Sequence, residues 1–167
     1  GDPARFALPR PLKGRPGCHF SFAGLKTAVR LKVEALTRAG GDKLADRDIN
    51  DLAAAIQEAI AEVLAERTAN AIVLLRERSP SARTLVVAGG VAANGAVRER
   101  LRRLADQAGL RLVAPPAHLC TDNAAMIAWA GIERLRLGLH DPLDAPARPR
   151  WPLDPDAPPA PGAGVKA

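Results

Sequence analysis

Two short runs gather the residues best suited to chemistry: Val86-Val87-Ala88-Gly89-Gly90-Val91-Ala92-Ala93-Asn94 and Cys120-Thr121-Asp122-Asn123-Ala124-Ala125-Met126. In the first, an apolar run ends in a glycine pair and an amide just before a helical pattern, the arrangement that commonly receives phosphates and nucleotides at a helix start. In the second, one carboxylate, Asp122, stands at the start of another helical pattern. Each residue also has an ordinary structural reading. Gly89 and Gly90 suit a turn that needs positive backbone angles. Asn94 is a favoured helix N-cap, and Thr121 or Asp122 suits a first helical turn, where a carboxylate complements the dipole.

The elements that must position these groups follow from periodicity. The run 84–88 lacks alternation and reads as a strand covered on both faces, followed by a helix over 93–107. That helix turns Val97, Leu101 and Leu104 inward and presents Arg98, Arg100, Arg102 and Arg103 outward. A second strand is expected over 111–114, ending at Pro115-Pro116, and a last helix over 121–137, with Gly138 beyond it. Upstream, Leu25, Val29, Leu31, Val33 and Leu36 line a helix that stops at Gly40-Gly41. Ile49, Leu52, Ile56, Ile60, Val63 and Leu64 give one face of a long helix over 48–78. Helices followed by strand-helix-strand-helix make an α/β arrangement. Three regions are expected: a Pro/Arg-rich arm over 1–17, a folded region over 18–153 and a disordered tail over 154–167.

Composition narrows the class. The chain has 167 residues, 47% of them hydrophobic, enough for one core. A net charge of +6 and a pI near 10.1 suit an anionic partner, although the Arg, Ala and Pro bias of a GC-rich genome would produce the same balance. Cys18 and Cys120 have no zinc or disulfide spacing, which fits a reducing cytoplasm. No apolar run reaches the ~20 residues of a membrane span, and no signal-peptide pattern opens the chain. His19, His118 and His140 read as surface or loop residues, with His118 the one near Asp122. Trp129 reads as core or buried interface, and Arg148, Arg150 and Trp151 as either RNA contacts or packing groups. No HExxH, Ser/His/Asp or Cys/His set can be assembled, so a peptidase is not indicated.

Together with Phe20-Ser21-Phe22-Ala23-Gly24-Leu25-Lys26-Thr27 and Arg148-Pro149-Arg150-Trp151-Pro152-Leu153, the two runs resemble the C-terminal half of the bacterial tRNA N6-adenosine threonylcarbamoyltransferase family, formerly called O-sialoglycoprotein endopeptidases. Ala23 departs from the serine common in that pattern, and Lys26, early on a helix, reads as a solvated side chain. The resemblance implies the C-terminal lobe of an actin-like, sugar-kinase and Hsp70 type of fold, which is ribonuclease H-like. It implies transfer of threonylcarbamoyl from threonylcarbamoyl-AMP to N6 of adenosine-37 of tRNA, with Gly89, Gly90 and Asn94 on the adenylate and Asp122 on an iron or zinc ion. It also implies a paralogous partner subunit and a P-loop ATPase. The paired histidines that complete the family's metal site have no counterpart here, so the chain, which opens on Gly1, is expected to be a fragment, inactive alone and poor at holding metal. Two alternatives share the lobe: a carbamoyltransferase of the hydrogenase-maturation type, and a non-catalytic nucleotide-binding or partner-docking module.

Overall fold

The computed structural model describes residues 1–41 and 43–146. The chain divides into two compact units, Gly1–Asn123 and Ala124–Ala167. In the first, α1 (Ala23–Gly40) and α2 (Asp46–Arg78) precede β1 (Thr84–Val86), α3 (Gly95–Gln107) and β2 (Arg111–Val113). Short 3-10 turns occupy Gly90–Ala93 and Ala117–Leu119. The mixed order makes this an α/β protein, as the pattern of the sequence implies.

The long α2 organises the core. Its fully covered Ala55 and Ala59, with Leu52, receive Leu25 of α1 and Phe6 and Leu8 from the N-terminal arm. Small side chains on α2 let these larger groups approach closely, and burying each of them is worth about 1.5–3 kcal/mol. Further along α2, Ala61 meets Val97 and Leu101 of α3, and Ile72 meets Ala105 and Leu110. Two apolar positions fall off the expected faces: Leu31 is 53% exposed and Ile49 47%. On α1 the buried stripe runs through residues 25, 29, 33 and 36, leaving Leu31 on the far side.

The arm over 1–17 has no helix or strand, yet it is held firmly along α2. Arg5 bridges Asp48 at 2.5 Å and Asp51 at 2.8 Å, and the Asp2 amide donates to Asp51 at 2.6 Å. Arg10 reaches Glu62 at 2.7 Å, and the Gly14 amide donates to Glu66 at 2.7 Å. Arg67, buried on α2, donates to the carbonyls of Arg15 and Gly17.

The strands pair in parallel, Leu85 opposite Leu112 and Val86 opposite Val113, with α3 as the crossover. Here one expectation is corrected. Leu85, Val87 and Leu112 pack towards α2 and α3, but Val86 is 67% and Val113 39% exposed, so among the described residues the sheet is covered on one face rather than two. A continuously apolar run permits two-sided burial, but it does not supply the second layer.

The second unit contributes α4 (Ala124–Arg136), which starts three residues later than the sequence pattern suggests and ends before Gly138, at φ +70°. Trp129, read from the sequence as core or buried interface, is 63% exposed, which removes the core reading. Arg148, Arg150, Trp151 and the tail lie outside the described residues.

Candidate functional site

The candidate site is built at the C-terminal end of β1, where ligands collect in open α/β sheets. The chain leaves the strand and reverses at Gly89, whose φ of +84° is open to glycine at little cost. Gly90 does not share that need; it begins the 3-10 turn, and no atom lies within 4 Å of where its side chain would be. The expected continuous helix from 93 is thus split into this turn and α3. The Gly90 and Val91 amides have no acceptor among the described residues, which leaves two donors at the open side of the turn.

Asn94 closes the turn and caps α3. Its Oδ1 accepts from the Val97 amide at 3.1 Å, and its Nδ2 donates to Gln57 Oε1 at 3.0 Å. The capping reading of Asn94 is therefore realised, and the side chain is also exposed towards a cleft of 300 Å³ that it shares with Gln57, Ile60, Gly90, Val91 and Val97. Ile60, Val91 and Val97 give that cleft an apolar wall, while Gln57, Asn94 and the turn give it a polar rim. Gln57 was missed by the sequence reading because it lies between apolar positions of α2 with no motif around it. Its Nε2 has no partner among the described residues.

The two chemical runs are brought together by Arg98. Its Nε donates to the Ala92 carbonyl at 2.9 Å, and its Nη2 reaches the Pro115 carbonyl at 3.3 Å and Cys120 Sγ at 3.4 Å. Arg98 is half-buried here, not part of the outward basic face the periodicity suggests. The outer face of α3 carries Arg100, paired with Glu58, and Arg102 and Arg103, both paired with Glu99. Cys120 is buried, and its thiol donates to the Pro115 carbonyl at 3.6 Å, the role of a small packing residue rather than a nucleophile.

Asp122 follows Cys120 in the connector, two residues ahead of α4 rather than within its first turn. Its carboxylate is exposed and accepts no hydrogen bond from the described residues. His19, His118 and His140 are exposed as expected. No group of three His, Cys, Asp or Glu side chains that could hold a metal occurs among the described residues. One carboxylate does not meet the three or four ligands that iron or zinc takes, so these residues do not fit a complete metal site. No described helix is long and apolar enough to cross a membrane.

Comparison with known proteins identifies the pattern. Residues 1–129 match the family model for tRNA N6-adenosine threonylcarbamoyltransferase. Relatives of that name include the one from Rhodospirillum rubrum, 59% identical over 100% of this chain and 46% of the relative. Those of Paramagnetospirillum magneticum and Maricaulis maris are 55% and 56% identical over 94% and 99% of the chain, and 44% of each relative. The chain therefore spans less than half the length of these relatives. With the match extending through the glycine turn, Asn94 and Asp122, the chain belongs to the tRNA N6-adenosine threonylcarbamoyltransferase family.

Proposed function

We propose that this chain supplies the adenylate-binding lobe of an enzyme that moves the threonylcarbamoyl group from threonylcarbamoyl-AMP to N6 of adenosine-37 in tRNA. The observation that carries the reading is the open cleft at Gly90, Val91 and Asn94, just after the turn at Gly89, in a chain whose relatives of that name match it along nearly its whole length. In the reaction the N6 amine attacks the carbamoyl carbon, the bond from that carbon to the phosphate oxygen breaks, AMP departs, and the amine loses a proton. The unpaired amides of Gly90 and Val91 are suited to the phosphate, where they stabilise negative charge on the leaving group. Gln57 and Asn94 bind the polar edge of the nucleoside, and Ile60 and Val97 exclude water from its apolar face.

The lobe is of the actin-like, sugar-kinase and Hsp70 type, and the functional assembly contains a paralogous subunit and a P-loop ATPase in the cytoplasm. Asp122 would be one ligand of a metal ion that would polarise the transferred carbonyl; its other ligands would have to come from residues other than those described. On this reading the isolated chain binds without turning over.

The test is titration calorimetry of the chain with AMP and with a non-hydrolysable threonylcarbamoyl-adenylate analogue. Saturable binding that weakens at least tenfold in Asn94→Asp and Gln57→Ala supports the reading. A folded chain that binds neither ligand overturns it in favour of the second reading, a partner-docking module in which Asn94 is only a cap, a role its bond from the Val97 amide already fills.

A further inference from the structure

The arginines of this chain divide into two groups. Most of those described are neutralised in place, among them Arg5, Arg10, Arg30, Arg67, Arg100, Arg102 and Arg103, each paired with a carboxylate. Arg15, Arg76, Arg78, Arg83, Arg98 and Arg111 have no carboxylate oxygen within 4.0 Å among the described residues, and Arg76, Arg83 and Arg111 are three of these. These three sit at one end of the sheet. Arg83 immediately precedes β1, Arg111 begins β2 opposite Thr84 and donates its amide to the Arg83 carbonyl at 2.8 Å, and Arg76 lies in the last turn of α2.

Two of them are already oriented. Arg76 donates to the Ala108 carbonyl at 2.5 Å, and Arg83 to the carbonyls of Pro80 and Ala82 at 2.6 and 2.9 Å. Both line one open cleft of 390 Å³ with no acidic residue in its wall. Backbone carbonyls take up one side of each guanidinium without cancelling its charge, and a guanidinium keeps further N–H donors for an oxygen-rich anion. Glu77 and Asp106 are the carboxylates nearest along the chain, and neither is paired with these arginines. The cleft lies at the opposite end of β1 from Gly89, roughly 20 Å away at ~3.3 Å per strand residue, so it is separate from the adenylate cleft.

We propose that Arg76, Arg83 and Arg111 form a contact surface for the phosphate backbone of structured RNA. The choice of RNA as the anion rests on the transferase reading. Three cations at one pole, two of them held by backbone carbonyls, position a polyanion without reading its sequence, and the second cleft is left free for the reacting group.

The experiment is fluorescence anisotropy of the chain with unmodified tRNA over a range of salt concentrations, comparing the parent with R76Q/R83Q/R111Q, R76K/R83K/R111K and R102Q/R103Q. Circular dichroism melts keep the comparison to folded protein. Expected are a Kd raised at least tenfold in the glutamine variant, a salt slope reduced by about 2–3 at ~0.9 per lost contact, near-parental binding by the lysine variant and no change in R102Q/R103Q. Unchanged affinity and slope in a folded glutamine variant would overturn the proposal. So would no binding of tRNA by the parent at 50 mM salt. The adenylate titration reads Asn94 and Gln57 independently: RNA binding through the arginines without adenylate binding sinks the transferase reading alone, and the reverse sinks only this surface.

Discussion

Arg98 Nη2 lies 3.4 Å from Cys120 Sγ, and through that side chain the glycine turn after β1 is tied to the connector that carries Asp122. A half-buried guanidinium donating to two carbonyls and to the Cys120 sulfur is a brace, and removing it leaves those acceptors unmet. Arg98→Ala should cost about 2 kcal/mol, in the range for hydrogen bonds to charged groups, and Arg98→Lys should recover only part of it. Urea unfolding measures the loss; a change below 0.5 kcal/mol, on the order of an exposed substitution, would contradict the bracing role.

Asn94 offers a way to separate stability from binding. Loss of the N-cap in Asn94→Ala should destabilise the chain by about 1 kcal/mol, whereas Asn94→Asp keeps an acceptor for the Val97 amide and should melt near the parent. The same aspartate places a negative charge beside the proposed phosphate and should still lose adenylate binding. Thermal melts and calorimetry on the two variants read the two roles independently.

The two glycines of the turn should respond unequally. At φ +84°, Gly89→Ala forces a side chain into the left-handed region and should cost about 1–2 kcal/mol. Gly90 has an ordinary φ and open space around it, so Gly90→Ala should be neutral in stability. A denaturation midpoint that moves equally for both would show that the conformation of Gly89 is not the constraint.

Acid should release the arm before it unfolds the core. The Asp2 amide and then Arg5 hold the Asp51 carboxyl below its usual range, Arg10 does the same for Glu62, and the Gly14 amide for Glu66. Lowered carboxyl values contribute stability that is present above their ordinary range of about 3.9–4.3, and that is lost as pH falls through the lower folded values. Hydrogen exchange or limited proteolysis near residues 2–17 should therefore increase below about pH 4. Asp51→Asn should show weakened arm protection already at pH 7.

Much of the fold was legible because its signals are local. The α2 periodicity, the glycine stop of α1 at Gly41 and the strand-glycine-helix run each follow from residues adjacent in sequence. What escaped depended on partners far away. Gln57 meets Asn94 across 37 residues, and Arg98 turns inward only because the Pro115 carbonyl and Cys120 wait for it. The exposure of Val86 was equally hidden, since a run of valines and leucines states that burial is possible on both faces and cannot state how many layers arrive. At Asn94 the sequence posed cap and ligand contact as rivals; the observed geometry makes the cap a fact and leaves the exposed side chain at the rim of the cleft.

The seating of the N-terminal arm has a kinetic consequence. Its polar contacts to α2 join residues 43–53 positions apart, as in Arg5 to Asp48 and Gly17 to Asn70, so loop closure must precede any gain from them. Helix pairing within 23–78 involves a simpler, more local search, and the arm should dock after the rate-limiting step. Substitutions at Arg5, Arg10 or Phe6 would then accelerate unfolding while leaving the refolding rate nearly unchanged, making this segment the latch that sets the lifetime of the folded chain.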